Sequence, residues 1–195
     1  MATEIETTIS STELQGLLLT ADEVSKLIAV GNLTVHNEAQ KPYGDTTDRE
    51  DCGSVVAPGL RQGYGGSGFT AFRSRDVVDG PDFMVVVTQA VSTFASEQKA
   101  QEFVRTEAKR WPDCKYKQVT LRYPGSSDAA YLIRNPVFDG QVLTTSMSVV
   151  NVRSGCQHTL TSKRNVAIDV RICTDRGSAQ APDLAAQIAA RIPTA

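Results

Sequence analysis

The sequence predicts one α+β domain: a mainly antiparallel, twisted sheet with about three helices packed on it, held by two disulfides. Three observations carry that expectation. Stretches of period-2 alternation succeed one another through short turn signals, which makes consecutive hairpins. Three separate stretches set apolar residues at helical spacing beside recognisable caps. Four cysteines, an even number, include two that meet when the last hairpin is drawn outward from its turn.

The elements follow in order. Thr20 and Glu23 form a capping box, and Leu19, Val24, Leu27 and Ile28 make the apolar stripe of a first helix that Gly31 is expected to end. A strand over 33–37 precedes a polar, turn-rich surface loop over 38–51. A short apolar piece, 55–60, is broken at Pro58-Gly59. The run Gly63-Tyr64-Gly65-Gly66-Ser67-Gly68 has no following Lys-Ser/Thr and no strand–loop–helix setting. It reads as a turn feeding a strand and not as a phosphate loop. Residues 69–78 and 82–94 are strands joined at Asp79-Gly80-Pro81. Ser96 caps a second helix whose Ala100, Phe103, Val104, Ala108 and Trp111 share a core-facing side, and Pro112 stops it. Strands over 116–123, 129–138 and 141–153 come next, with a turn at Asp139-Gly140. After the cysteine hairpin, a last helix beginning near Pro182 turns Leu184, Ile188 and Ile192 inward. No repeat or internal linker divides the chain. Residues 1–13 read as the remnant of a polar linker or tag, and 14–195 as the domain.

The cysteines set the compartment. None of Cys52, Cys114, Cys156 and Cys173 stands in a C-x-x-C pair, which removes zinc-ribbon and thioredoxin readings. Val166, Ile168, Val170 and Ile172 alternate with polar or small residues, as in a half-buried strand. A two-residue turn at Arg164-Asn165, with Asn165 suited to positive φ, sets Lys163 opposite Val166 and, further out, Cys156 opposite Cys173. That pair falls on a non-hydrogen-bonded site, where side chains lie closest and a bridge fits. Of the three connectivities open to four cysteines, Cys52–Cys114 with Cys156–Cys173 is the one this register favours. Disulfides place the chain in an oxidising, extracytoplasmic setting. The N-terminus, Met1 to Glu6, lacks the charged-then-apolar pattern of a secretory signal, so a signal or membrane anchor is expected upstream of the sequence.

Composition removes other classes. With 20 basic and 22 acidic residues and a formal net charge of −2, there is no electrostatic footprint for nucleic acid or anionic lipid. No run of about 18 apolar residues is present to span a bilayer. Only His36 and His158 could serve as catalytic or metal-ligating histidines, and neither sits in a nucleophile, metalloprotease or metal-cage motif. No P-loop, kinase or paired-carboxylate pattern appears, so no cofactor, metal or catalysis is expected of this domain.

Candidate ligand-binding residues come from charges on strands. Alternation along the strand from Phe69 puts Arg73 and Arg75 on one face with Ala71, and Phe72, Ser74 and Asp76 on the other. In the cysteine hairpin, His158, Asp169 and Arg171 share the face of the disulfide, opposite the apolar residues. Arg134 lies in an otherwise apolar strand. Each alone fits a solvated outer face. Together they would line a site for an anionic or polar ligand.

Several of these residues carry a resemblance. Leu18-Leu19-Thr20-Ala21-Asp22-Glu23-Val24, Tyr64-Gly65-Gly66-Ser67-Gly68-Phe69-Thr70-Ala71, Trp111-x-x-Cys114 and Ile188-Ala189-Ala190-Arg191-Ile192-Pro193 resemble, in that order, the PknH-like extracellular sensor domains of mycobacterial serine/threonine kinases and related lipoproteins. The resemblance spans roughly residues 17–194. It implies an antiparallel sheet with flanking helices, two disulfides and a large open cleft for an unidentified small-molecule or cell-wall ligand. The implied function is that of an extracytoplasmic ligand-binding or sensor domain in the cell envelope, tethered to the membrane through a segment absent here. In a kinase parent, ligand or homodimer formation would shift signalling states. The alternatives are a lipoprotein that carries a polar or lipidic envelope molecule, and a hydrolase of cell-wall material.

Overall fold

The computed structural model describes residues 8–176 and 179–194. Helices are α1 (Leu14–Leu17), α2 (Ala21–Ile28), α3 (Gly53–Val56), α4 (Arg61–Tyr64), α5 (Glu97–Arg110) and α6 (Ala181–Ala190). Strands are β1 (Thr34–Ala39), β2 (Thr46–Thr47), β3 (Ala71–Val78), β4 (Val85–Thr93), β5 (Gln118–Arg122), β6 (Ala129–Ile133), β7 (Val137–Phe138), β8 (Leu143–Val149), β9 (Gly155–Lys163) and β10 (Val166–Thr174). They form one sheet in the order β1-β3-β4-β10-β9-β8-β6-β5-β2, with β7 paired to β8 off this path. Every strand pair is antiparallel. The α+β expectation holds, and α2, α5 and α6 are the three helices it named.

Both faces of the central sheet are covered, and this is why β10 is buried at all nine positions. One face turns Val166, Ile168, Val170 and Ile172 into an apolar cluster with α1, α2 and α6, through Leu14, Val24, Leu184 and Ile188. The other face packs Ala167, Leu160, Cys156 and Cys173 with α3, α4 and α5, through Val55, Tyr64, Phe103 and Trp111. A strand flanked by two cores needs no polar face, and the outer-face reading of this hairpin fails for that reason.

The hairpin register is as expected from the turn outward, Val166 opposite Lys163 and Cys173 opposite Cys156. The bridges are Cys156–Cys173, with Cα atoms 4.0 Å apart, and Cys52–Cys114, at 5.7 Å. The turn itself differs. Arg164, not Asn165, takes positive φ, at 52°. The Asn165 side chain is used elsewhere: its Oδ1 accepts from Ile9 N at 2.8 Å, and its Nδ2 donates to Ile9 O at 3.1 Å and Phe94 O at 3.2 Å. Of the stretch expected to be linker, residues 1–7 lie outside the described residues, while Ile9 is buried by this clamp.

Other departures have local causes. The first helix stops before Gly31: Ala29 adopts the left-handed conformation at φ 55°, donating to Ser25 O. The strand expected over 129–138 splits into β6 and β7 around Arg134-Asn135-Pro136, because proline offers no ladder donor and restricts the residue before it. Beyond α5 the chain continues as a 3-10 turn over 111–114 that delivers Cys114 to its partner.

The capping box of α2 is complete and is reinforced by Arg191, whose Nη2 donates to Glu23 Oε1 at 2.5 Å. The Thr20 backbone N–H, and then Arg191, hold the Glu23 carboxyl down at about 2, against 4.5 ordinarily. A depressed acid contributes its stability above the unfolded value and loses it as pH falls through the folded one. Glu23→Gln keeps the box hydrogen bond and removes only the charge. It is expected to lower stability by about 1 kcal/mol or less near neutral pH, because the partly exposed pair is screened. Urea titrations should show that difference closing between about pH 4.5 and pH 2.

Candidate functional site

The cross-strand register sorts the candidate residues before any side-chain contact is considered. Arg75 lies opposite Gln89, and Gln89 opposite Val170, on the α1–α2–α6 face. Arg73, opposite Val91, is on the same face. On the other face, Asn37, Asp76, Thr88, Arg171, His158 and Thr145 form one continuous row from β1 to β8. Arg73 and Arg75 therefore cannot share a site with His158, Asp169 and Arg171.

Each candidate has a distinct place. Arg73 Nη1 donates to Phe72 O at 2.7 Å. Arg75 joins Glu38 at 2.6 Å and donates to Leu19 O at 3.0 Å, tying β3 to the α1–α2 connection. Arg134 is exposed and donates to Ser148 Oγ at 2.9 Å. His158 and Asp169 are buried beneath α5: Asp169 Oδ1 lies 2.6 Å from His158 Nε2, and Asp169 Oδ2 accepts from Gly59 N at 2.9 Å and Tyr64 OH at 3.1 Å. His158 Nδ1 faces Val55 O at 2.7 Å, so both ring nitrogens meet acceptors. The pair therefore holds an imidazolium against a carboxylate, or a neutral ring against a protonated acid. Trp111 covers the ring at 4.6 Å, and its indole donates to Glu107. This pair is sealed in the core and cannot serve the ligand-binding role expected of it. Asp51 lies beside Cys52 and Cys114, but both sulfurs are committed to the disulfide.

Where α3 and α5 stop covering the row, a cleft of about 1230 Å³ opens over Asn37, Asp76, Thr88 and Arg171. Of the six candidates only Arg171 lines it. A second, apolar row runs beside the polar one, Val78–Val86–Cys173, so the hairpin disulfide forms part of the cleft floor. One wall carries Tyr43 and Asp45, and the opposite wall carries Tyr123 and Tyr131. The β3–β4 turn adds Phe83 and Met84, both about half exposed. Gly59 shapes the lip beside Pro58: its φ is 68°, and a Cβ there would come within 2.8 Å of the Phe72 ring.

The polar groups are arranged asymmetrically. Tyr43 OH donates to Asp76 Oδ2 at 3.0 Å and accepts from Ser74 Oγ at 2.7 Å. Burial, then the neighbouring Asp76 charge, raises the Asp45 carboxyl, while Arg171 opposes them. Across the floor, the Tyr123 and Tyr131 hydroxyls lie 3.3 Å apart, and the Arg171 guanidinium sits 5.4 Å from the Tyr131 ring centroid. Burial pushes the Tyr123 phenol up, so it is a neutral donor. Acid on the β3 side thus faces base and phenols on the β10 and β6 side.

Sequence alternation separates Asp76 from Arg73 and Arg75, but which of those two faces is the disulfide side follows only from the pairing of β3, β4 and β10. Alternation could not supply Thr88 or the tyrosines, because the pairing of β4 with β10 joins residues about 80 positions apart and leaves no local signal.

The comparisons with known proteins agree with this architecture. The family model described as the PknH-like extracellular domain matches residues 9–191. The serine/threonine-protein kinase PknH of Mycobacterium tuberculosis is 26% identical over 196 residues, covering 94% of this chain and 30% of the kinase. The serine/threonine-protein kinase PknJ of Mycobacterium bovis is 27% identical over 201 residues, covering 95% of this chain and 33% of the kinase. The chain thus spans about a third of the length of these curated relatives. The crystal structure of the extracellular domain of PknH from Mycobacterium tuberculosis superposes with a TM-score of 0.87 at 23% identity, over 95% of this chain and 97% of that one.

Proposed function

Because the chain belongs to the PknH-like extracellular domain family, we propose that it is the ligand-sensing part of a membrane-anchored receptor kinase, with the cleft on the disulfide-side face as its sensing site. The domain lies outside the cytoplasm, and its two disulfides accord with that compartment. It is not itself catalytic; in the kinase reading, phosphoryl transfer belongs to a part of the parent that this chain does not match.

The observation that carries the sensing reading is a large concave site whose floor is a sheet packed on its far face against α1, α2 and α6, and whose polar groups converge from separate elements. Such sites are the usual places of small-molecule recognition. A ligand bridging the β3 wall and the β6 wall would favour one relative placement of the two, and differential affinity of that kind is what a signal requires.

The test is thermal unfolding of the purified domain against fractionated cell-envelope extracts. A true ligand at a hundredfold excess over its Kd adds about 2.7 kcal/mol, or roughly 5–10 °C for a domain of this size. Thr88→Trp places an indole in the middle of the cleft and is expected to abolish that rise. A rise that persists in Thr88→Trp, or no fraction that produces one, would count against the cleft.

A further inference from the structure

Arg171 is a buried charge whose acidic neighbours, Asp76 and Asp45, act on it only from a distance, with the Tyr123 hydroxyl beside it. It is 5% exposed, yet no carboxylate among the described residues lies within 4.0 Å of it. Nη1 donates to the Val56 carbonyl, and Nε has no hydrogen-bond partner. The guanidinium stays protonated at any relevant pH, and buried charges are ordinarily paired. The other buried ionic groups obey that rule: His158 meets Asp169, and Glu107 meets Arg110. Arg171 differs from them in one respect, which is that it lines the cleft.

Resting on the sensing reading above, we infer that the cleft takes a ligand with one anionic head group, a carboxylate or phosphate, seated at Arg171 and attached to an apolar body. The guanidinium presents a planar fork suited to either oxyanion. Thr88, its register neighbour, and one hydroxyl of the hydrogen-bonded Tyr123–Tyr131 pair supply further donors at the same end. The apolar body has its own track: Val78, Val86 and Cys173 along the floor, ending at Phe83 and Met84. Asp76 sits two strands from Arg171, about 10 Å at ordinary strand spacing, and Asp45 joins it on that wall. Those carboxylates repel a negative group on the β3 wall, so the anionic end is seated at Arg171 and not there.

The experiment is isothermal titration of the purified domain, in low salt, with octyl phosphate, decanoate, octanol and inorganic phosphate. Octyl phosphate or decanoate is expected to bind saturably at a single site, with the stronger of the two identifying the preferred oxyanion. Octanol, lacking the charge, and inorganic phosphate, lacking the body, are each expected to bind roughly tenfold or more weakly, the scale of one charge-assisted hydrogen bond. Arg171→Gln should lose the same factor, while Arg134→Gln, on an exposed strand end, should leave binding unchanged. If Arg171→Gln does not fold, the octanol comparison in the wild-type protein decides the matter alone. Octanol binding as tightly as octyl phosphate overturns the anionic assignment and leaves the cleft a site for neutral molecules. Inorganic phosphate binding as tightly overturns the apolar body. Failure of all four to bind overturns the inference, and the sensing reading then stands or falls on the envelope extracts.

Discussion

Replacing Cys52 and Cys114 together by serine is expected to cost about 4 kcal/mol. The bridge closes a 62-residue separation, so its absence restores a correspondingly large share of unfolded-chain freedom. It also joins the 3-10 turn after α5 to the start of α3, which ties down the cover of the core above His158. Both sulfurs are buried, and serine there would add unpaired hydroxyls to an apolar cluster. The hairpin bridge, closing 17 residues, should contribute about 3 kcal/mol by the same reasoning. Guanidinium unfolding followed by far-UV circular dichroism would measure both. Equal midpoints for the wild-type and the Cys52–Cys114 double variant would show that the long loop is already constrained in the unfolded chain.

Breaking the buried His158–Asp169 pair is the second large effect. Removing either partner leaves a polar or charged group in a site from which α5 and Trp111 exclude water. His158→Leu and Asp169→Leu should each cost about 3–5 kcal/mol, the usual range for orphaning one member of a buried pair. Asp169→Leu has a further consequence, since Gly59 N and Tyr64 OH lose their acceptor and the lip of the cleft loses its anchor. The double variant should cost less than the sum of the two, because no unpaired charge remains. Fluorescence of Trp111, the one tryptophan, reports the transition directly. Additive losses would mean that the two side chains do not act as a pair.

Sequence reasoning reached as far as local signals carry. Turn-to-turn counting placed Cys156 opposite Cys173, and alternation separated the apolar face of β10 from the face of Asp169 and Arg171. The capping residues Thr20 and Ser96 marked the starts of α2 and α5. What stayed illegible was the order of strands. A chain that pairs β4 with β10 and leaves β5–β9 to curl round the far side carries no local mark of that adjacency. Without it, charges on opposite faces of the sheet were grouped as one site, and Arg73 and Arg75 joined a set they cannot touch. The same gap hid the second core. His158 and Asp169 look like solvent-facing side chains of a two-period strand, and they become a buried pair only once α3, α4 and α5 lie over them. Arg171 alone fell at the boundary between covered and open sheet, which is why it lines the cleft.

Amide-resolved NMR of the labelled domain, recorded with and without the envelope fraction that raises its unfolding temperature, tests the sensing claim most directly. Shifts are expected to centre on Asn37, Asp76, Thr88 and Arg171, with Tyr123 and Tyr131 following. Shifts centred on Arg75, Gln89 and Val170, on the α1–α2–α6 face, would contradict that claim, as would a spectrum that does not change.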